Sequence, residues 1–135
     1  MIMYNLKEKN KWGVCTVIRQ MLLADETIKS LVGNKIYPIV APEKTQGNYI
    51  VYQRDEYSID RTKMGIATQK CVVYISCVSS SYDTAQEMAV AVFNLLDGEY
   101  DINEKQCSIK QIHMTDSTED YEGDCYIETL QFEIL

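Results

Sequence analysis

One stretch limits what this chain can fold into. From Gln69 to Gly98 a strand pattern runs straight into a helix pattern across a short serine-rich link. In Lys70-Cys71-Val72-Val73-Tyr74-Ile75-Ser76-Cys77-Val78, successive side chains of a strand point to opposite faces, so Cys71, Val73, Ile75 and Cys77 form a wholly apolar row. The opposite row, Lys70, Val72, Tyr74, Ser76 and Val78, is mixed. From Tyr82 to Leu96 the residues Ala85, Met88, Ala89, Val92 and Leu96 fall on one helical stripe. Ser80 with Asp83, or Asp83 with Gln86, can cap its start, and Gly98 suits a left-handed turn after its end. The stripe must be buried, and the apolar strand row beside it is the surface at hand. Strand and helix together seed the core.

The flanking segments add to this seed. Residues 1–13 read as an arm: the polar run Lys7 to Lys11 is either a solvated lead-in or a segment that docks on a neighbour. Residues 14–135 read as a single domain. Val14, Val17, Ile18, Met21 and Leu22 share one face of a helix ending near Leu23; Asp25 can cap a second turn of helix that Gly33-Asn34 closes. Ile36 to Val40 is apolar but broken by Pro38, which confines it to a sheet edge or an extended segment. Tyr49 to Tyr57 reads as a strand, Ser58 to Thr68 as a long polar connection, and Glu99 to Lys105 as polar linker. Gln106 to Met114 and Cys125 to Leu135 read as strands joined by a charged turn, Asp116 to Asp124. The expected fold is an α+β two-layer sandwich, a mostly antiparallel sheet of four to five strands with two main helices packed on one face.

Composition removes several function classes. A chain of 135 residues is long enough to bury a core without disulfides or metal. No apolar run approaches the roughly 20 residues of a membrane span, and the N-terminal run lacks the charged-then-apolar order of a signal peptide, so a soluble, non-secreted protein with no membrane partner is expected. The five cysteines sit singly, most on apolar faces, as reduced thiols do; the only histidine, His113, has no partner at metal-ligand spacing. A net charge of −7, from 20 acidic and 13 basic residues, opposes a grip on nucleic-acid phosphates.

No motif of catalysis emerges, and neither an enzyme nor a cofactor is expected. The glycines are isolated turn residues with no phosphate loop among them, and Ser79-Ser80-Ser81 sits where helix capping explains it better than nucleophilic attack. The acidic segment Asp116, Glu119, Asp120, Glu122, Asp124 lacks the order of a calcium loop. It reads either as a solvated hairpin tip or as an acid patch that faces a partner or lines a channel. Asp60, Arg61 and Lys63 in the polar connection are candidates for the same role, and Val72, Tyr74 and Val78, opposite the helix-facing row, for contact between subunits.

The order of segments resembles a known family. Leu22-Leu23-Ala24-Asp25, Leu31-Val32-Gly33-Asn34-Lys35-Ile36-Tyr37-Pro38 and Ala41-Pro42 look like the opening of the tail-completion (tail terminator, tail-to-head joining) proteins of long-tailed bacteriophages. The likeness continues through Asn48-Tyr49-Ile50-Val51-Tyr52-Gln53, the central strand, Tyr82-Asp83-Thr84-Ala85, Ala89-Val90-Ala91-Val92 and Leu95-Leu96-Asp97-Gly98, covering roughly residues 15–135. The arm at 1–13 and Asn48, where the family often has proline, depart from it. The resemblance implies a structural protein of the virion, assembled in the host cytoplasm. It implies a ring of six copies at the head-proximal end of the tail, contacting the tail tube protein and the head connector, with DNA passing through and no catalytic residues. A neck protein of similar build and an acidic DNA mimic acting on a host enzyme are the alternatives.

Overall fold

A computed structural model describes residues 9–65, 67–104 and 106–135, so the opening residues of the expected arm lie outside the described residues. Three helices and six strands follow in the order α1 (Val14–Ala24), α2 (Glu26–Val32), β1 (Ile36–Pro38), β2 (Tyr49–Arg61), β3 (Ala67–Ser79), α3 (Tyr82–Leu96), β4 (Gly98–Glu104), β5 (Cys107–Glu122) and β6 (Cys125–Ile134). The strands make one sheet in the order β1-β2-β3-β6-β5-β4. All neighbours are antiparallel except β1, which runs parallel to β2. The α+β expectation therefore stands, but the sheet is mixed and has six strands, and the helical segment expected after Asp25 is a separate short helix, α2, beside the two main ones.

β3 lies between β2 and β6, with Ile75 opposite Tyr52 on one side and Leu130 on the other. Its row Cys71, Val73, Ile75 and Cys77 has no exposed surface. The stripe Ala85, Met88, Val92 and Leu96 of α3 closes over it, and Val14, Ile18 and Leu22 of α1 extend the same core toward Ile36 and Ile50. Helix ends follow local chemistry. Asp25 both ends α1 and caps α2, its carboxylate accepting from the Ile28 amide at 3.0 Å, and Gly33 closes α2 with φ 64°. The cap of α3 is neither Ser80 nor Asp83 but Ser81, whose hydroxyl accepts from the Thr84 amide at 3.3 Å. The helix leaves through an extended Asp97, and Gly98 opens β4 instead of a left-handed turn.

Three segments read as loops are strand. The 58–68 connection is paired residue for residue from Ser58↔Lys70 to Arg61↔Ala67. Glu99 to Glu104 is most of β4, where Tyr100 and Ile102 pack on the core from an edge strand. The acidic turn is the second half of β5, paired with β6 from Asp116↔Gln131 to Glu122↔Cys125, so only Gly123 and Asp124 turn. In the two hairpin ribbons polar side chains stand on both faces because no helix lies over them, and the alternation that identifies a half-buried strand is missing.

The second half of the expected arm is part of the body. Asn10 and Lys11 are each 3 % exposed. The Lys11 amide donates to the Tyr57 hydroxyl at 3.0 Å, its ammonium to the Ser108 carbonyl, and Gln69 Nε2 donates to the Lys9 carbonyl at 2.7 Å. Gly13 then approaches the β4–β5 turn so closely that its amide meets the Gln106 carbonyl at 2.5 Å. A Cβ at residue 13 would stand 2.7 Å from that oxygen.

Two substitutions test this packing. Ile75→Asp places an unpaired carboxylate in the core at a cost of several kcal/mol, comparable to a domain's stability, and should abolish the cooperative melting transition. Gly13→Ala should fold but melt lower, by about 1–3 kcal/mol, because backbone must give way to the new methyl.

Candidate assembly surfaces

Strand direction places the two hairpins at opposite ends of the sheet. Ser79 pairs with Tyr126 at one end of the β3–β6 ladder and Cys71 with Ile134 at the other. The β2–β3 tip projects beyond the second end and the β5–β6 hairpin beyond the first. Asp60, Arg61 and Lys63 therefore do not join Asp116, Glu119, Asp120, Glu122 and Asp124 in one site; all eight are exposed, but in two separate groups.

The acidic hairpin is internally organised. Glu119 lies directly opposite Glu128 on the helix-facing side. The Tyr82 hydroxyl donates to Glu119 Oε2 at 2.6 Å, and Tyr82 and Tyr121 both meet the Tyr126 ring edge-on, at 5.6 and 4.8 Å between centroids. Glu128 is only 8 % exposed. Burial, and then its bond to Glu119, pushes its carboxyl up to about 7, while the hydrogen bonds from Glu128 and Tyr82 hold Glu119 below the usual carboxylate range. The two facing carboxylates titrate as a pair, with Glu128 pushed toward its protonated form and Glu119 toward its ionised one.

The same half of β5 is a sheet edge, because β4 pairs with β5 only as far as Ile112. Side-chain carboxylates occupy its amides: Asp97 accepts from Met114, Asp116 from Ser117 and Asp120 from Tyr121, each at 2.8 Å. Capped amides and like charges are the means by which an edge avoids pairing with another strand.

The sheet face opposite the helices carries the residues expected between subunits. Val72 and Val78 are already only 7 % and 5 % exposed within the subunit; Val78 stands between Tyr49 and Ile127, and Val72 between Glu56 and Glu133. Tyr74 alone of the three keeps partly exposed surface. Around it stand Val51, Ser76, Thr129 and Gln131, all partly exposed, and no helix among the described residues lies over them.

Two surface features were not read from the sequence. Ala89, Val90 and Phe93 of α3 face Met114, Ser117 and Leu130 across a groove of about 200 Å³, and Val90 and Phe93 remain 53 % and 38 % exposed. The signal was present, since Val90 and Phe93 are apolar residues three apart and off the core stripe. Ile39 and Val40, after β1, are 67 % and 73 % exposed, and Ile39 holds φ 66°, a strained conformation for a β-branched residue. Among the described residues no group of three or more histidine, cysteine or acidic side chains is placed to hold a metal, and no helix is long and apolar enough to cross a membrane.

The carboxylate pair predicts a pH dependence. The folded value of Glu128 lies above its ordinary 4.5, so its contribution to stability is full below that value and is lost as pH rises through about 7. The melting temperature should fall between pH 5 and pH 8, by roughly 1–3 kcal/mol equivalent, and Glu128→Gln, which keeps a donor toward Glu119 without a charge, should flatten that slope. An unchanged slope in the variant would show that Glu128 does not carry the proton.

Comparison with known proteins agrees with this architecture. A chain from the virion of a native gene transfer agent particle superposes with a TM-score of 0.74 at 23 % identity, covering 87 % of this chain and 89 % of that one. The likeness shows that the two share a fold. No curated protein matches the sequence. The profile of the family described as Tail completion protein gp17 matches residues 16–135, through every helix and strand but the first two residues of α1. The chain belongs to the tail completion protein gp17 family, and it is a structural protein of a bacteriophage virion tail.

Proposed function

We propose that the protein closes the head-proximal end of the tail as a ring of identical copies, six in number, ending the tail tube and presenting the surface that joins the head connector. Membership in a tail completion family carries this reading. The subunit's form supports it: a sheet with a partly apolar face that no described helix covers suits contact with further protein, and two ribbons reach out from opposite ends. Residues 14–135, with Asn10 and Lys11 packed into them, act as the body of each copy. DNA passes through the ring without being gripped, since a net charge of −7 repels phosphate and lets a duplex slide. The acids of the β5–β6 hairpin are the groups that would line or border this passage. The protein acts by shape and charge, with no catalytic step.

The reading is tested on whole particles. With the protein epitope-tagged and gold-labelled, electron micrographs should show label at the junction of tail and head, and particles lacking the protein should yield tails that do not join heads. Label at the far tip of the tail, or along the tube, would overturn it. In the same system Asp116, Asp120 and Glu122 changed together to Ser should leave the melting temperature within about 0.5 kcal/mol equivalent, because all three are exposed, while DNA ejection or joining is impaired. Normal joining and ejection in that variant would remove the acids from the passage.

A further inference from the structure

We propose that the Ile39-Val40 knob after β1 of one copy seats in the α3–β5 groove of the next, joining neighbours edge to edge. The proposal rests on the ring reading above and names the contact that would build the ring.

The knob is a strained turn that holds apolar side chains outside. The Ile39 amide donates to the Tyr52 carbonyl at 2.8 Å and the Val40 amide to the Pro38 carbonyl at 2.6 Å. The second bond closes a three-residue turn around Ile39 at φ 66°, the rare and strained form of that turn and a costly one for a β-branched residue. Pro38-Ile39-Val40-Ala41-Pro42 carries no charge, and both central side chains stand exposed. Within the subunit the strain gains no burial, and a partner that covered the knob would supply it.

Position selects the occupant. The groove has Met114 and Leu130 on its floor and Val90 and Phe93 exposed at its lip. The strand order β1-β2-β3-β6-β5-β4 puts the knob at one edge of the sheet and the groove toward the other. The two are also level. Tyr52, which holds the Ile39 amide, pairs with Ile75, Ile75 with Leu130 and Leu130 with Ser117 at the groove, so one rung crosses the sheet between them. At about 4.8 Å per strand that rung is roughly 20 Å long, too far for the knob to reach the groove of its own subunit. A contact between two different patches of identical copies is heterologous. When both patches share a level, neighbours join side by side with no step along the axis, and the rotation closes a ring instead of a filament.

Charge agrees with this direction. Glu128 lies in the wall of the groove, Glu119 faces it, and no cation lines the groove. At the knob's edge of the sheet, Arg19 Nε donates to the Ile36 carbonyl at 3.4 Å, and the exposed Lys44 follows in the same loop, against the single carboxylate of Glu43.

The test uses the full chain assembled on tails, with rings scored by electron microscopy. Ile39→Gly removes the side chain and relieves the turn, since glycine takes positive φ freely. Ring occupancy should fall at least about tenfold while the melting temperature holds or rises. Val90→Asp, at an exposed position in the groove, should lower occupancy as far with an unchanged melting temperature, and Lys44→Glu should lower it less. A photo-crosslinker at residue 40 should capture the 86–93 segment of a second copy. Wild-type occupancy in Ile39→Gly or Val90→Asp, occupancy lost only together with a lowered melting temperature, or capture of the same chain or a different virion protein would overturn the contact while leaving the ring intact as a reading. Gold label away from the head joint in the wild type would instead remove the ring reading itself.

Discussion

The structure depends on burying one face of β3. That strand has neighbours on both sides and two helices above, and its row Cys71, Val73, Ile75 and Cys77 has no contact with solvent. Every apolar surface that closes over it comes from a different part of the chain: Tyr52 and Ile50 from β2, Leu130 and Phe132 from β6, Met88 and Val92 from α3, Ile18 from α1. Burial of this kind is non-directional, so it does not by itself choose a register; strand alternation does, since a shift by one residue would turn the row into solvent. The thiols in this core follow from the same environment. Burial pushes Cys71 and Cys107 up to about 11 and holds Cys77 higher still, so they pack as small apolar side chains and not as nucleophiles.

From this closed side the molecule opens outward in two ways. The ribbons at either end of the sheet run past the helices, where no apolar burial stabilises them, and they rely on ladder hydrogen bonds and local side-chain contacts. In one ribbon the Tyr82–Glu119–Glu128 cluster ties the acidic strand back to α3. The other ribbon is anchored lower down, where Tyr57 packs against Trp12 and the Arg54 guanidinium lies 4.6 Å over the Trp12 ring. Each ribbon is rigid at its base and exposed at its tip. That division suits a part of an assembly, since the body can hold its fold while its extensions find partners.

The residues that make the core were legible in the sequence because each carries a periodic signal. The stripe of α3, the strand row of β3, the Asp25 cap and the Gly33 stop all appear where spacing and side-chain chemistry placed them. Serine capping was foreseen one residue early, since three adjacent serines offer the same chemistry and only the backbone path chooses Ser81. β4 and the outer halves of β2, β3 and β5 were missed for a different reason. Their pairing is set by the strand beside them and not by a buried face, so their own composition reads as loop. Lys11 shows the same limit: a lysine in a polar run looks solvated, yet the Ser108 carbonyl and the Tyr57 hydroxyl hold it inside the fold.

The sequence by itself determined that one sheet face would be buried under helices and that the protein would be acidic and free of recognisable catalytic motifs, because periodicity and composition are properties of the chain. Its ordered segments also carried the family resemblance. Only the tertiary structure decided how the charged residues are distributed. Asp60, Arg61 and Lys63 stand at one end of the sheet and the five acids from Asp116 to Asp124 at the other, because antiparallel pairing reverses direction at every turn. It also brought Glu119 to face Glu128, and Val90 and Phe93 to face Met114 and Leu130, pairs whose members are far apart along the chain or on different elements. Those meetings depend on which strands become neighbours, and long-range pairing is information that no local pattern contains.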